Sequence, residues 1–198
     1  MKARHKRKQK PLYHETLSSI VLQAFPFLII SGVGALFAGI VLKDYLDYIH
    51  LFPGALVLIP TTMNIKGALA SSLAARLGTA YHLGGLKGRK EFAEIRENLA
   101  GTLVVALITS SASAAFAYVV SPALGVQTVS LPLLLVLALA AGIAATLILA
   151  AITVTAVLLS VRLGVDPNNS SFPLLSTAGD FIVVWLVYAT MVLLVTGA

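Results

Sequence analysis

Long runs of apolar residues constrain this chain more than any other feature of its sequence. About 20 helical residues cross the roughly 30 Å hydrocarbon core of a bilayer, and five runs are long enough to do so. These predicted spans are residues 20–42, 51–75, 99–120, 131–161 and 172–195. With 58% hydrophobic and only 11% charged residues, the composition is far from that of a soluble domain. We therefore predict an all-α polytopic membrane protein with five transmembrane helices.

A basic segment precedes the first apolar run. Six of the 14 Lys and Arg residues lie within residues 1–10. We interpret residues 1–19 as a cytoplasmic tail that contacts anionic lipid, rather than as a site for nucleic acid. Residues 20–198 then form the transmembrane domain.

The distribution of positive charge predicts the orientation. Cytoplasmic connections collect Lys and Arg. If the N-terminus is inside, the inner segments hold six of them in residues 1–10, five in residues 76–98, and Arg162. The outer segments hold only Lys43. We expect a multi-pass protein of the cell membrane with its N-terminus in the cytoplasm and, after five spans, its C-terminus outside.

Two charged residues lie at predicted membrane depth. Asp180 is nine residues into the last span, about 13 Å from its start and close to the midplane. Ser176 and Thr177 precede it at i−4 and i−3, on one helix face. Lys66 interrupts the second span. Ionisable groups inside a membrane usually mark an ion or substrate path, although Asp180 and Lys66 could instead pair and hold helices together, and Lys66 could snorkel or pack.

Two motifs resemble those of a known family. PTTMNIKGALASSLAARLGTA, residues 60–80, is similar to the second-helix signature of the MgtE-type divalent cation transporters, and closest to their eukaryotic solute-carrier relatives. DPNNSSFPLLSTAGD, residues 166–180, resembles the family segment that joins the fourth and fifth helices. The resemblance covers residues 20–198, and the residues that match the second-helix motif are Pro60, Lys66, Gly67 and Arg76.

The resemblance implies a divalent cation transporter or channel. In this family two five-helix units pair about a two-fold axis, the second and fifth helices line the ion path, and an aspartate that Asp180 matches holds the ion. A homodimer, or a heteromer with another five-helix chain, is therefore expected. Where the solute-carrier relatives have Asn and Glu, this chain has Ala68 and Ala70, so ion contacts from those groups are absent.

The transported ion is expected to be Mg²⁺, with Mn²⁺ or another divalent cation as alternatives. Proteins usually hold Mg²⁺ through one or two carboxylates and leave several of its waters in place. Asp180 is the main candidate ligand. Further candidates, which would contact the ion or its waters, are Thr62, Asn64, Asp166, Asn169, Ser176 and Thr177.

Two other functions use the same residues. A non-transporting scaffold would need Asp180 and Lys66 only to lock helices together. An intramembrane aspartyl protease would need a second aspartate beside Asp180, but Asp44, Asp47 and Asp166 all fall at predicted membrane surfaces. We therefore predict that the protein is not an enzyme.

Overall fold

The computed structural model describes residues 17–45, 52–84, 89–163 and 167–196. Within these ranges the chain forms five long helices joined by turns: α1 (Leu17–Asp44), α2 (Ala55–His82), α3 (Arg89–Ala123), α4 (Leu131–Leu163) and α5 (Pro167–Thr196). The predicted all-α architecture with five helices is confirmed. Most of the basic tail, residues 1–16, and Asp166 lie outside the described residues.

Three of the helices are long and apolar enough to cross a membrane. In the described part of the chain these segments are Glu91–Ala123, Leu131–Ser160 and Leu175–Thr196. α1 contributes a shorter apolar segment, Leu28–Lys43, and α2 carries Lys66 and Arg76. The protein is therefore a membrane protein, while its five spans and its orientation stay predictions.

α2 begins later and extends further than the predicted span 51–75. It starts at Ala55, directly after Gly54, which has a left-handed backbone with φ of 94°. A Cβ on Gly54 would lie 2.7 Å from Thr128 Oγ1, so this turn also has no room for a side chain. The helix continues to His82. An apolar run has to end where the hydrocarbon core ends, but a helix does not, because Arg76 and His82 are compatible with helix and can lie outside the core.

The helices α2 and α5 form the most extensive contact of the bundle. α2 also packs against α3 and α4, and α5 also packs against α4 and α1. Small side chains such as Ala114, Ala138, Ala141 and Ala145 are fully buried and allow the helices to approach closely. This is how helices associate in lipid, where van der Waals contact replaces the hydrophobic driving force.

Large apolar side chains cover much of the outside of the bundle. α1 exposes Phe25, Leu36 and Phe37, α3 exposes Ile108 and Val119, and all are more than half exposed. Such a surface suits lipid tails. Polar residues on this apolar outer surface therefore require a separate explanation.

Candidate ion-binding cleft

A cleft of about 820 Å³ lies between α1, α2 and α5. Its described lining has an apolar part and a polar part. The apolar part is Leu28, Leu42, Pro60, Met63, Gly67 and Ala68. The polar part is Ser31, Asn64, Ser71, Ser176 and Asp180, so Asp180 is the single carboxylate among the described lining residues.

The position of Asp180 depends on a close crossing of α2 and α5. A Cβ on Gly179 would lie only 3.6 Å from the Cα and N atoms of Gly67. A Cβ on Gly67 would in turn lie 3.1 Å from Ser176 Oγ. The two backbones therefore pass close to each other at a pair of glycines, and the contact at Gly67 is the tighter of the two. Asp180 follows the crossing directly and is partly exposed in the cleft.

α1 is fixed to α5 beside the cleft. The hydroxyls of Ser31 and Thr177 are hydrogen-bonded to each other, and Thr177 Oγ1 also donates to the carbonyl oxygen of Ser31 at 3.2 Å. Gly34 lies against the methyl group of Thr177, where a Cβ would collide with it. Thr177 is therefore directed at α1, while Ser176 and Asp180 line the cleft.

The structure brings together part of the predicted set of site residues. Asn64, Ser176 and Asp180 line the cleft, as do Pro60 and Gly67 of the second-helix motif. Asn169 lies in the first turn of α5, in the part of the helix whose side chains are not described.

Thr62 lies away from the cleft. It is 2% exposed and its hydroxyl is buried without a hydrogen-bond partner in the described structure. The reason is helical periodicity, since Thr62 is one turn before the inward-facing Lys66 and shares its face. The expectation that Thr62 contacts the ion therefore has no geometric support here.

Lys66 is the largest fully buried side chain, with 1% of its surface exposed. Its Nζ donates to Ser110 Oγ of α3 at 2.8 Å. Gly142 of α4 makes room for it, since a Cβ there would lie 3.2 Å from Nζ and would collide with Ser110 Oγ. Lys66 therefore packs at the meeting of three helices and does not snorkel to the surface.

Lys66 and Asp180 lie in different parts of the bundle: Lys66 faces α3 and α4, whereas Asp180 lines the cleft between α1, α2 and α5. Both residues are described, and no salt bridge joins them. The pairing on which the scaffold alternative depends is absent between these two described residues. Arg76, the last of the four residues that match the second-helix motif, lines a different cavity.

Two polar residues of the cleft were missed from sequence. Ser31 lies in α1, which looked like an ordinary apolar span, and Ser71 lies one turn beyond Gly67 on the cleft side of α2. The sequence does carry a weak signal for Ser31, because Ser31 and Ala35 are small residues four positions apart in an apolar run. Small residues at that spacing indicate a close helix contact.

The donor set suits a cation that keeps its water. Among the described residues no group of three or more His, Cys, Asp or Glu side chains lies close enough to hold a metal ion directly. The cleft offers one carboxylate with hydroxyl and amide oxygens. Such groups can accept hydrogen bonds from the waters of a hydrated ion.

Fold and cleft together define a helical membrane protein whose cleft has one acidic group among its described lining residues. The model of the MgtE family, described as a divalent cation transporter, matches residues 59–190. The chain belongs to the MgtE family of divalent cation transporters, as its motifs predicted. Since this is a family of transporters and not of enzymes, the aspartyl protease alternative is rejected.

Several curated proteins are similar to the chain. Solute carrier family 41 member 2 of Xenopus laevis is 28% identical over 173 residues, which is 85% of this chain and 31% of that protein. Solute carrier family 41 member 3 of Rattus norvegicus is 27% identical over 179 residues, 86% of this chain and 38% of that protein. The chain thus spans about a third of the length of these relatives. No solved structure shows significant similarity to it.

The contact between Gly34 and Thr177 leads to a prediction about stability. Gly34→Ala should destabilise the protein by about 1–3 kcal/mol, as overpacking of a close contact does. Gly39→Ala is the matched control, because a Cβ on that glycine of the same helix meets nothing within 4 Å. Thermal unfolding in detergent measures both. Combining Gly34→Ala with Thr177→Ser, which removes the colliding methyl group, should restore the thermal unfolding midpoint. Equal midpoints for Gly34→Ala and Gly39→Ala would contradict the close packing of α1 on α5.

Proposed function

We propose that the protein transports a divalent cation, most simply Mg²⁺, along a path that α2 and α5 line, with Asp180 binding the hydrated ion. The observation that carries this proposal is the partly exposed Asp180 carboxylate in a cleft whose other described polar groups are neutral. A carboxylate at membrane depth is costly unless water or a cation meets it. Family membership supports the same function.

A second copy of the chain completes the path in this proposal. Around the cleft Asn64, Ala68 and Ser176 are exposed on the outside of the single chain. Polar groups at that depth do not face lipid tails in a stable membrane protein. Two copies related by a two-fold axis would place two such surfaces, and two Asp180 carboxylates, around one path. A different five-helix chain could satisfy the same geometry.

The chemistry of Mg²⁺ fits two carboxylates separated by water. The ion prefers octahedral coordination at about 2.0–2.1 Å and releases its waters reluctantly. One Asp180 from each copy would balance its double charge, and Asn64, Ser71 and Ser176 would hold its waters. Mn²⁺ shares the charge and geometry and is expected to compete.

Flux of Mg²⁺ into proteoliposomes that contain only the purified chain tests the proposed function. Uptake above that of protein-free liposomes is expected, followed with an Mg²⁺-sensitive dye. A non-transporting scaffold gives no uptake although the protein is correctly inserted. Flux that appears only when a second five-helix chain is added would support a heteromer and contradict the homodimer.

Cysteine cross-linking tests the pairing surface independently of flux. The chain has no cysteine, so single cysteines can be introduced without a background. Ala68→Cys and Ser176→Cys, both exposed at the cleft, should form intersubunit disulfides in the membrane. Ile148→Cys is the matched control, because Ile148 is 43% exposed on α4, which does not line the cleft. Equal cross-linking at all three positions would contradict pairing through α2 and α5.

A further inference from the structure

A second polar cavity, of about 410 Å³, lies between the C-terminal half of α2 and the N-terminal part of α3. Its described polar lining consists of Ser72, Arg76, Thr79, Glu94 and Asn98. None of these residues lines the cleft that contains Asp180. The cavity is therefore a separate feature, and the proposed transport does not use it.

The guanidinium of Arg76 is held in a fixed position in this cavity. Its Nε donates to the carbonyl oxygen of Ser72 at 3.3 Å, and its Nη2 donates to Thr102 Oγ1 at 2.8 Å. Thr102 is itself fixed, since it is buried and donates to the carbonyl oxygen of Asn98 at 2.8 Å. A guanidinium has five N–H donors. Two are used in these contacts, so three are left for a ligand.

A carboxylate of opposite charge lines the same cavity. Glu94 is half-buried, and in the described part of the chain no salt bridge joins it to Arg76. Asn98 is oriented by donating one of its amide hydrogens to the carbonyl oxygen of Glu94 at 2.9 Å. Two opposite charges that face one cavity without pairing match a ligand that carries both charges.

The predicted spans 51–75 and 99–120 place this cavity, which Arg76 and Glu94 line, at the level of lipid headgroups. α3 has 35 residues, so it is about 52 Å long and exceeds the roughly 30 Å hydrocarbon core. Its charged start, which includes Glu94, precedes the predicted span 99–120, and that span alone is long enough to cross the core. Leu83 and Phe92, near the adjoining ends of α2 and α3, are 82% and 75% exposed. Exposed apolar side chains beside charged ones are typical of the membrane interface.

We propose that this cavity binds the headgroup of a phosphoethanolamine lipid, with its phosphate on Arg76 and its primary ammonium on Glu94. Arg binds phosphate well because its planar fork donates two parallel hydrogen bonds. A primary ammonium donates hydrogen bonds to a carboxylate, which the quaternary ammonium of phosphocholine does not. A phosphoglycerol lipid offers no cation to Glu94. The site therefore distinguishes these three headgroups by their chemistry.

Native mass spectrometry of the full chain in detergent tests this proposal without any variant. The protein is mixed with equal amounts of phosphatidylethanolamine, phosphatidylcholine and phosphatidylglycerol of identical acyl chains. Phosphatidylethanolamine should bind roughly tenfold more tightly than either of the others, the difference expected for one charge-assisted hydrogen-bonded contact. Equal binding of all three lipids would overturn the proposal.

Substitutions at the two charges locate the site. Arg76→Gln and Glu94→Gln should each remove the roughly tenfold preference. Arg96→Gln and Glu97→Gln are matched controls, because they remove the same two kinds of charge. Both residues are exposed on α3 close to Glu94 in sequence, and neither lines the cavity. Far-UV circular dichroism and elution volume verify that each variant is folded. A preference that survives in both Arg76→Gln and Glu94→Gln would place the lipid elsewhere and refute the assignment.

Soluble competitors separate the headgroup from free phosphate. Phosphoethanolamine should displace the bound lipid, and inorganic phosphate at the same concentration should not. If phosphate displaces it equally well, the site recognises an anion alone and the zwitterionic proposal is wrong. Because lipid binding is measured rather than flux, these outcomes are independent of whether the protein transports Mg²⁺.

Discussion

Asp180→Asn should reduce Mg²⁺ flux through the purified protein by roughly 10- to 100-fold, the factor expected when a charged hydrogen-bonding partner is removed. Asparagine keeps the size of the side chain and one oxygen but removes the charge. In a paired assembly the change would remove both carboxylates from the path at once, which favours the upper end of this range. The neutral groups Asn64 and Ser176 would remain. They can orient water, but they cannot balance the charge of a divalent ion.

The measurement is the initial rate of dye-reported Mg²⁺ uptake at equal amounts of inserted protein. Glu97→Gln removes a carboxylate that is exposed on α3 and does not line the cleft, so it is the matched control and should conduct at the parent rate. Cobalt hexammine resembles hydrated Mg²⁺ but does not exchange its ligands, so it should inhibit the parent protein if the ion enters hydrated. Parent-like flux through Asp180→Asn would make the carboxylate structural and refute the proposed site.

Lys66→Ala should lower the free energy of unfolding by about 2–5 kcal/mol, which is the cost of truncating a large buried side chain in a packed core. Lys66 is 1% exposed and fills the space between Ser110 and Gly142. Lys66→Met nearly preserves its volume and should cost less than about 1.5 kcal/mol. Ser110 would lose its partner, but it can donate to its own helix backbone, as the neighbouring Ser111 and Ser113 do.

This pair of variants decides between packing and an ion pair. Breaking a buried ion pair costs about 3–5 kcal/mol because one charge is left unpaired. If Lys66 held Asp180, Lys66→Met and Asp180→Asn would each destabilise the protein by that amount, and the double variant would cost no more than either. Chemical unfolding of the purified protein measures all three. A large loss in Lys66→Met would contradict the packing role and revive the scaffold alternative.

Asp180 could be identified as a site residue from the sequence of α5 alone. A carboxylate within a run of apolar residues stands out whatever its neighbours are, and Ser176 precedes it by one helical turn. Both were predicted for the site, and both line the cleft. Thr177 belonged to the same predicted face but turns toward Ser31 of α1. A helix face is wide enough to include side chains that point in different directions. The position of the adjacent helix determines which of these side chains reach the cleft.

Lys66 shows the opposite case. Its sequence position marked it as unusual, but pairing with Asp180, snorkelling and packing remained open. The choice depended on residues far away in sequence, Ser110 and Gly142, which face Lys66 from two other helices. Thr62 lies on the same side of α2 as Lys66 and is also buried. The direction in which each α2 side chain points depends on the rotation of that helix about its own axis. The sequence of a single span does not predict this rotation.

The sequence by itself determined the class of the protein, its helices, its family and the carboxylate within its last apolar helix. These properties follow from local composition and short motifs: a long apolar run must be a helix in lipid, because its backbone groups have to bond within the segment. Only the tertiary structure decided that α1 contributes Ser31 to the cleft, that Lys66 faces away from Asp180, and that Arg76 and Glu94 share a separate cavity. Each of these depends on contact between helices. In a membrane such contacts are selected by close packing of small residues such as Gly67 and Gly179, whose partners become known only when the helices are placed side by side.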